Sequence, residues 1–167
     1  MDPKAGRIKR GEGALIGNAG EYYVVAELLK RGYIAAMAPR NAPGFDILVT
    51  NKEKTVKIRV KTKSGDCKVW QWSSQNRRPI FKFLDENKNS DDFTILVHMT
   101  EEIKGMEFYI LHTALINEWL VSDFKEYISI VGPRGPRSPR NPKRTLDRIK
   151  SQTRLVEYLN NWDILWE

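Results

Sequence analysis

Apolar positions first recur with a helical period at Tyr22, Val25, Ala26, Leu28 and Leu29, with Asn18 as the N-cap and Gly32 just past the end. This spacing predicts a helix over 20–31. A short apolar stretch (33–38) and the loop Pro-Arg-Asn-Ala-Pro-Gly (39–44) follow. The period then changes to two. Residues 46–50 and 55–62 read as strands joined by the polar turn 51–54, an antiparallel hairpin with Val56, Ile58 and Val60 on one face and Lys57, Arg59 and Lys61 on the other. Residues 92–100 and 106–112 read as two more strands around the acidic turn 101–105. Helical spacing returns over 113–128 through Leu115, Ile116, Trp119, Leu120 and Phe124. Neither period holds over 64–83, where loop and a short helix are expected. Prolines bar regular structure from 132–144, and 145–160 reads as a last helix.

These elements divide the chain into a basic N-terminal arm (1–16), a core domain (17–130), an Arg/Pro-rich loop (131–144) and a C-terminal helix packing on the core (145–167). A chain of 167 residues with 41% hydrophobic content suffices for one core and is short for two. The formal net charge of +7 favours a polyanionic partner, because each neutralised phosphate releases counterions. The cations gather in two places. Lys4, Arg7, Lys9 and Arg10 crowd the start, while Arg134, Arg137, Arg140, Lys143 and Arg144 occupy 131–144 with no acid among them. Both segments read either as phosphate-contacting arms or as solvated loops. Cys67 is the only cysteine, so no internal disulfide is possible, and no Cys/His cluster suits structural zinc. With no apolar run near ~20 residues and no hydrophobic leader at the start, a soluble cytoplasmic protein without a membrane partner is expected.

Three features carry chemistry: Glu21 in the first helix, Asp46 in Pro43-Gly44-Phe45-Asp46 at a strand start, and Arg59-Val60-Lys61 on the next strand. In order and spacing this set resembles the PD-(D/E)XK nuclease-like superfamily, the fold of many restriction enzymes and Holliday-junction resolvases. The resemblance covers roughly 17–112, and nearly all its specificity lies in 17–62. It implies an α/β fold with a mixed sheet, a restriction-endonuclease-like αβββαβ core with an additional strand and C-terminal helices. It also implies a Mg2+- or Mn2+-dependent endonuclease acting on nucleic acid, DNA before RNA, with a homodimer as a further option. Glu21 and Asp46 would then be metal ligands and Lys61 the electrostatic partner, the three forming the catalytic set. Arg59 stands where the family carries Glu, Asp or Gln. The rival implication is a catalytically inactive module of the same fold that binds DNA, RNA or protein.

Each residue also has a plainer reading. Glu21 fits a capping box with Asn18, Asp46 fits an ordinary turn acid, and Lys61 fits an exposed strand lysine. Arg59 and Lys61 sit two apart on a strand, ~7 Å from one another on one face. A guanidinium about 5 Å from a divalent cation is repelled by ~1.7 kcal/mol in water and more in a protein. Arg59 must therefore turn to a phosphate, pair with Glu21 or Asp46, or leave the metal to another acid, of which Glu12 and Asp66 are nearest in sequence. Lys57 and Lys63 join Arg59 as expected nucleic-acid contacts. His98 and His112 read as structural, Trp70 and Trp72 as packing before base stacking, and Trp119, Trp162 and Trp166 as core or lid.

Overall fold

The computed structural model describes residues 13–39, 42, 44–65, 67–73, 92–100, 105–133, 135–141 and 143–167. Its spine is the strand Thr55–Ser64 (β3), the longest in the molecule's described part. Val56, Ile58 and Val60 are buried along one face of β3, as their alternation requires. On one side β3 pairs antiparallel with Ile47–Thr50 (β2), which pairs antiparallel with Ile34–Met37 (β1). On its other side it runs parallel to Phe93–Met99 (β5), which pairs antiparallel with Glu107–His112 (β6). The resulting five-stranded sheet, β1-β2-β3-β5-β6, is mostly antiparallel and mixed, and with its helices gives the expected α/β class.

The first helix, Gly13–Lys30 (α1), reaches back well beyond the predicted start at residue 20. Gly17 and Gly20, each ~1 kcal/mol poorer than alanine inside a helix, blur the sequence signal there. Asn18 is therefore an interior helical residue and not an N-cap. At the other end the prediction holds. Gly32 takes φ +83° and donates its N–H to the Leu29 carbonyl, while the Tyr33 N–H bonds back to Leu28, the pairing of a Schellman stop.

A core forms on each face of the sheet. Val24 and Leu28 of α1 pack on Ile47, Ile58, Val60, Ile95 and Ile110, and Trp162, Ile164 and Leu165 close that layer. On the opposite face, Leu96, Tyr109 and Leu111 meet Ile116 and Leu120 of the helix Thr113–Ser129 (α2), together with Trp70, Trp72 and Leu146. Covered on both faces, β5 is buried from Phe93 to His98 and shows no polar alternation.

The region expected as loop and short helix (64–83) instead begins with a strand, Val69–Ser73 (β4). It pairs antiparallel with Lys143–Asp147 (β7) in a separate two-stranded sheet. The expected loop 131–144 thus ends in a strand, and the expected helix over 145–160 starts as one. Alternation places Trp70, Trp72, Arg144 and Leu146 inward, so a charged residue fills a core-facing slot and masks the pattern. Asp147 Oδ1 then accepts the N–H groups of Ile149 and Lys150, turning the chain out of the strand into the short helix Gln152–Leu155 (α3) and the 3-10 turns Val156–Tyr158 and Trp162–Trp166. No described helix is long and apolar enough to cross a membrane.

Candidate active site

Gly20 sets the distance between α1 and the sheet. A Cβ built there would lie 1.9 Å from Thr62 Oγ1 of β3, far inside contact distance, so only glycine allows this approach. The sequence reading missed this residue, although a glycine inside a helix is itself a signal that something packs close. With the backbone seated there, Glu21 in the next position reaches a cleft of about 630 Å3 lined by Asn18, Glu21 and Tyr22 of α1 and by Met37, Ala38, Pro39, Ala42, Phe45 and Asp46.

Asp46 is held more firmly than a turn acid. Its N–H donates to the Ile58 carbonyl at 2.8 Å, its carbonyl accepts from Ala38 at 2.8 Å, and its Oδ2 accepts the Val60 N–H at 2.8 Å. One carboxylate oxygen thus completes the β2–β3 ladder where the main chain leaves it, and the other is not used in that bond. Gly44, at φ +96°, supplies the turn into this position.

Glu21 feels both its burial and the charge of Asp46. Burial first, and the neighbouring Asp46 charge second, raise the Glu21 carboxyl above its ordinary value. For Lys61 the balance differs: burial lowers its ammonium below the ordinary value, Asp46 pulls it back up, and Arg59 and Lys63 push it down again. Glu21, Asp46 and Lys61 therefore share one electrostatic neighbourhood. The capping-box alternative for Glu21 falls with Asn18 inside the helix.

Of the three expected arrangements, pairing of Arg59 with Glu21 or Asp46 is not the one taken. Its Nε donates to the Gly44 carbonyl at 2.5 Å, which turns the guanidinium along the 44–46 loop, and it forms no ion pair with Glu21 or Asp46. Glu12 and Asp66 lie outside the described residues, as does Arg134. Among the described residues no group of three or more His, Cys, Asp or Glu side chains stands ready for a metal. What the geometry offers is two carboxylates facing one cleft.

The remaining expected contacts separate. Lys57 is exposed on β3, 6.0 Å from the Phe45 ring, and Lys63 is half-buried on the same strand. In the basic loop, Arg140 and Lys143 are exposed. Arg137 lies 4.2 Å over the Tyr127 ring and donates to the Tyr127 carbonyl at 2.9 Å. Arg144 is only 3% exposed, 3.5 Å over the Phe124 ring, so it is not presented to a nucleic-acid backbone as expected. His98 is 7% exposed, with Nε2 3.1 Å from the Gly65 carbonyl and Nδ1 3.2 Å from Glu107 Oε2, which Arg148 and Tyr109 also contact. His112 is exposed beside the Phe93 ring. Trp70 is buried and donates Nε1–H to the Val97 carbonyl, which leaves it no free face for a base.

No protein-family model matches the sequence, and no curated protein does. Among solved structures, the chain is similar to a Holliday junction resolvase from the archaeal hyperthermophile Archaeoglobus fulgidus, at 14% identity over 80% of this chain and 84% of that one, with a TM-score of 0.43. It is also similar to a bacterial homing endonuclease, at 17% identity over 95% and 93% of the two chains, with a TM-score of 0.48.

Proposed function

We propose that this chain is a nucleic-acid-processing protein that hydrolyses phosphodiester bonds, of DNA in preference to RNA, with Mg2+ or Mn2+ held by Asp46 and Glu21. The observation that carries this reading is a charge left over. Burial and the Asp46 charge raise the cost of ionising Glu21 in this cleft, Lys61 stands beside Asp46, and Arg59 is tied to the Gly44 carbonyl. A hard divalent cation supplies that missing charge. Magnesium sites commonly use one or two carboxylates and take their remaining ligands from water and substrate phosphate, so this donor set fits without a third acid. When bound, the ion polarises the phosphate and lowers the pKa of attached water.

The protein's own residues do the rest. Asp46 is fixed by its bond from Val60, and Glu21 by the close seat of α1 on β3. Lys61 holds its ammonium beside Asp46, where negative charge grows on the phosphate during attack. Lys57, Lys63 and the outer nitrogens of Arg59 steady the flanking backbone.

A second reading, a binding module of the same fold that does not cut, draws on the same Arg59: its cation stands where a third acid would complete a stronger site. One cleavage assay separates them. The protein is incubated with supercoiled, linear, branched and single-stranded DNA and with RNA, in magnesium, manganese or chelator, beside Asp46→Ala and Arg59→Glu. Metal-dependent cleavage that vanishes in Asp46→Ala supports the nuclease, and a gain in Arg59→Glu supports a site weakened by its arginine. Salt-sensitive retention without cleavage in any of the three proteins overturns it in favour of the binding module.

A further inference from the structure

The buried guanidinium of Arg144 stands on the opposite side of the fold from α1 and has no role in the reading above. It is covered by the Phe124 ring, and Nη1 donates to the carbonyls of Asn141 and Lys143 at 2.6 and 2.8 Å. Its Nε and Nη2 are sealed from water and have no acceptor among the described residues. Among the described residues no acid pairs with it: Asp123, which lines the same notch, is engaged by Arg154 through two bonds, of 3.1 and 2.5 Å. A buried charge with unmet donors is costly, because each N–H has lost water and gained nothing in return. Burial accordingly lowers the arginine below its ordinary value.

Arg144 lines a notch of about 250 Å3 between α2 and β7, with Tyr127, Asn141, Lys143 and Thr145 around it. Lys143 is exposed and adds a second cation, and Asp123, the one acid among the described lining residues, is already paired with Arg154. The loop that forms the rim is anchored by the stacking of Arg137 on Tyr127 and by paired bonds between Gly132 and Gly135.

We infer that this notch is a binding pocket for a phosphate group, with the Arg144 guanidinium as its cationic floor and Lys143, Asn141 and Thr145 as its polar rim. The volume suits a single phosphate and excludes a nucleobase with its sugar. Small turns about the terminal bonds of Arg144 expose its free N–H groups to the anion, and charge-assisted bonds there replace the hydration that burial removed. The phosphate is either the free ion or a terminal phosphate of a strand, which share this chemistry.

The test is a titration of the whole protein with inorganic phosphate, followed by thermal unfolding and by 31P line width, against sodium chloride at matched ionic strength. A saturable rise in Tm is expected, weakened about tenfold in Lys143→Gln and abolished in Arg144→Met. Because Arg144→Met removes a core contact, Lys143→Gln and Thr145→Val, both at exposed positions, carry the result should it fail to fold. Competition by a 5′-phosphorylated oligonucleotide but not its 5′-hydroxyl twin assigns the pocket to strand ends; competition by neither assigns it to the free ion. A rise equal to that in chloride, or one lost in Lys61→Gln and retained in Lys143→Gln, overturns the inference.

Discussion

Cations line both β3 and the surroundings of α2, and the two sets do opposite things. On β3, Lys57, Arg59, Lys61 and Lys63 follow one another at every second residue beside a carboxylate cleft, and none of the four is fully buried. Around α2, Arg137 and Arg154 lie over Tyr127 and Trp119 at 4.2 and 4.7 Å. Each of these two guanidinium groups also bonds to a carbonyl or carboxylate. The lesson is that positive charge in a sequence marks a polyanion site only where nothing nearby consumes it. A helix that presents an aromatic residue on successive turns turns arginines into staples.

The sharpest way to break this contrast is at the cleft. Asp46→Asn keeps size and removes charge, and under the proposed function is expected to lower DNA hydrolysis by ~100-fold or more, since losing the proposed metal ligand removes several kcal/mol of charge stabilisation. Arg137→Ala is expected to leave the rate unchanged in the same gel assay. If both fall together, the division between the regions is wrong.

Next in size is Gly20→Ala. The added methyl collides with Thr62 and should cost about 1–3 kcal/mol. For a chain of this length that lowers Tm by roughly 2–4 °C per kcal/mol, readable by calorimetry. Thr62→Ala in the same chain should recover part of the loss, whereas Arg137→Ala should add to it independently.

A crossed pair is finer. Arg137→Ala is expected to cost ~1 kcal/mol of stability and leave the salt dependence of DNA binding intact. Lys63→Ala is expected to leave Tm intact and reduce the slope of log affinity against log salt by about 0.9. Fluorescence anisotropy across a salt series, with melting curves alongside, reads both.

The smallest effect concerns pH. Burial and the Asp46 charge hold the Glu21 carboxyl above its ordinary 4.5, so the folded chain grips that proton more tightly than the unfolded one. Its contribution to stability is complete below about 4.5 and is lost as pH rises through the higher folded value. Glu21→Gln should therefore raise Tm at pH 7.5 relative to wild type, by only ~1 °C because the group is only partly buried, and should show no gain at pH 4. A loss at pH 7.5 would mean that Glu21 has a cationic partner in the fold.

The hairpin of β2 and β3 was readable because one residue in two is apolar from Val56 to Val60 and the turn 51–54 is polar throughout. The same alternation marked the cationic face, and Glu21, Asp46 and Lys61, far apart in the chain, lie in one electrostatic neighbourhood. β4 and β7 escaped because their shared inward row contains Arg144 opposite Trp72, and no local rule assigns an arginine to a core. Neither did local pattern reveal the stacking around α2, since Tyr127 and Arg137 or Trp119 and Arg154 are brought together only by the tertiary fold. Gly20 was legible in principle; its meaning depended on Thr62, forty-two positions on in the chain.

The parallel join between β3 and β5 has a consequence for the order in which the molecule forms. Ser64 and Phe93 are separated by a long excursion, and aligning two parallel strands across it must absorb the entropy of closing that loop. Everything that makes the cleft, α1 through β3, is contiguous and joined by short connections to antiparallel neighbours. Pulsed hydrogen exchange during refolding is thus expected to protect Val49 and Ile58 before Ile95; the reverse order would show that the long closure comes first. If the short connections lead, Glu21, Asp46 and Lys61 are gathered while the far side of the sheet is still unpaired, and a nascent chain emerging from the ribosome holds its carboxylate cleft before it holds its full support.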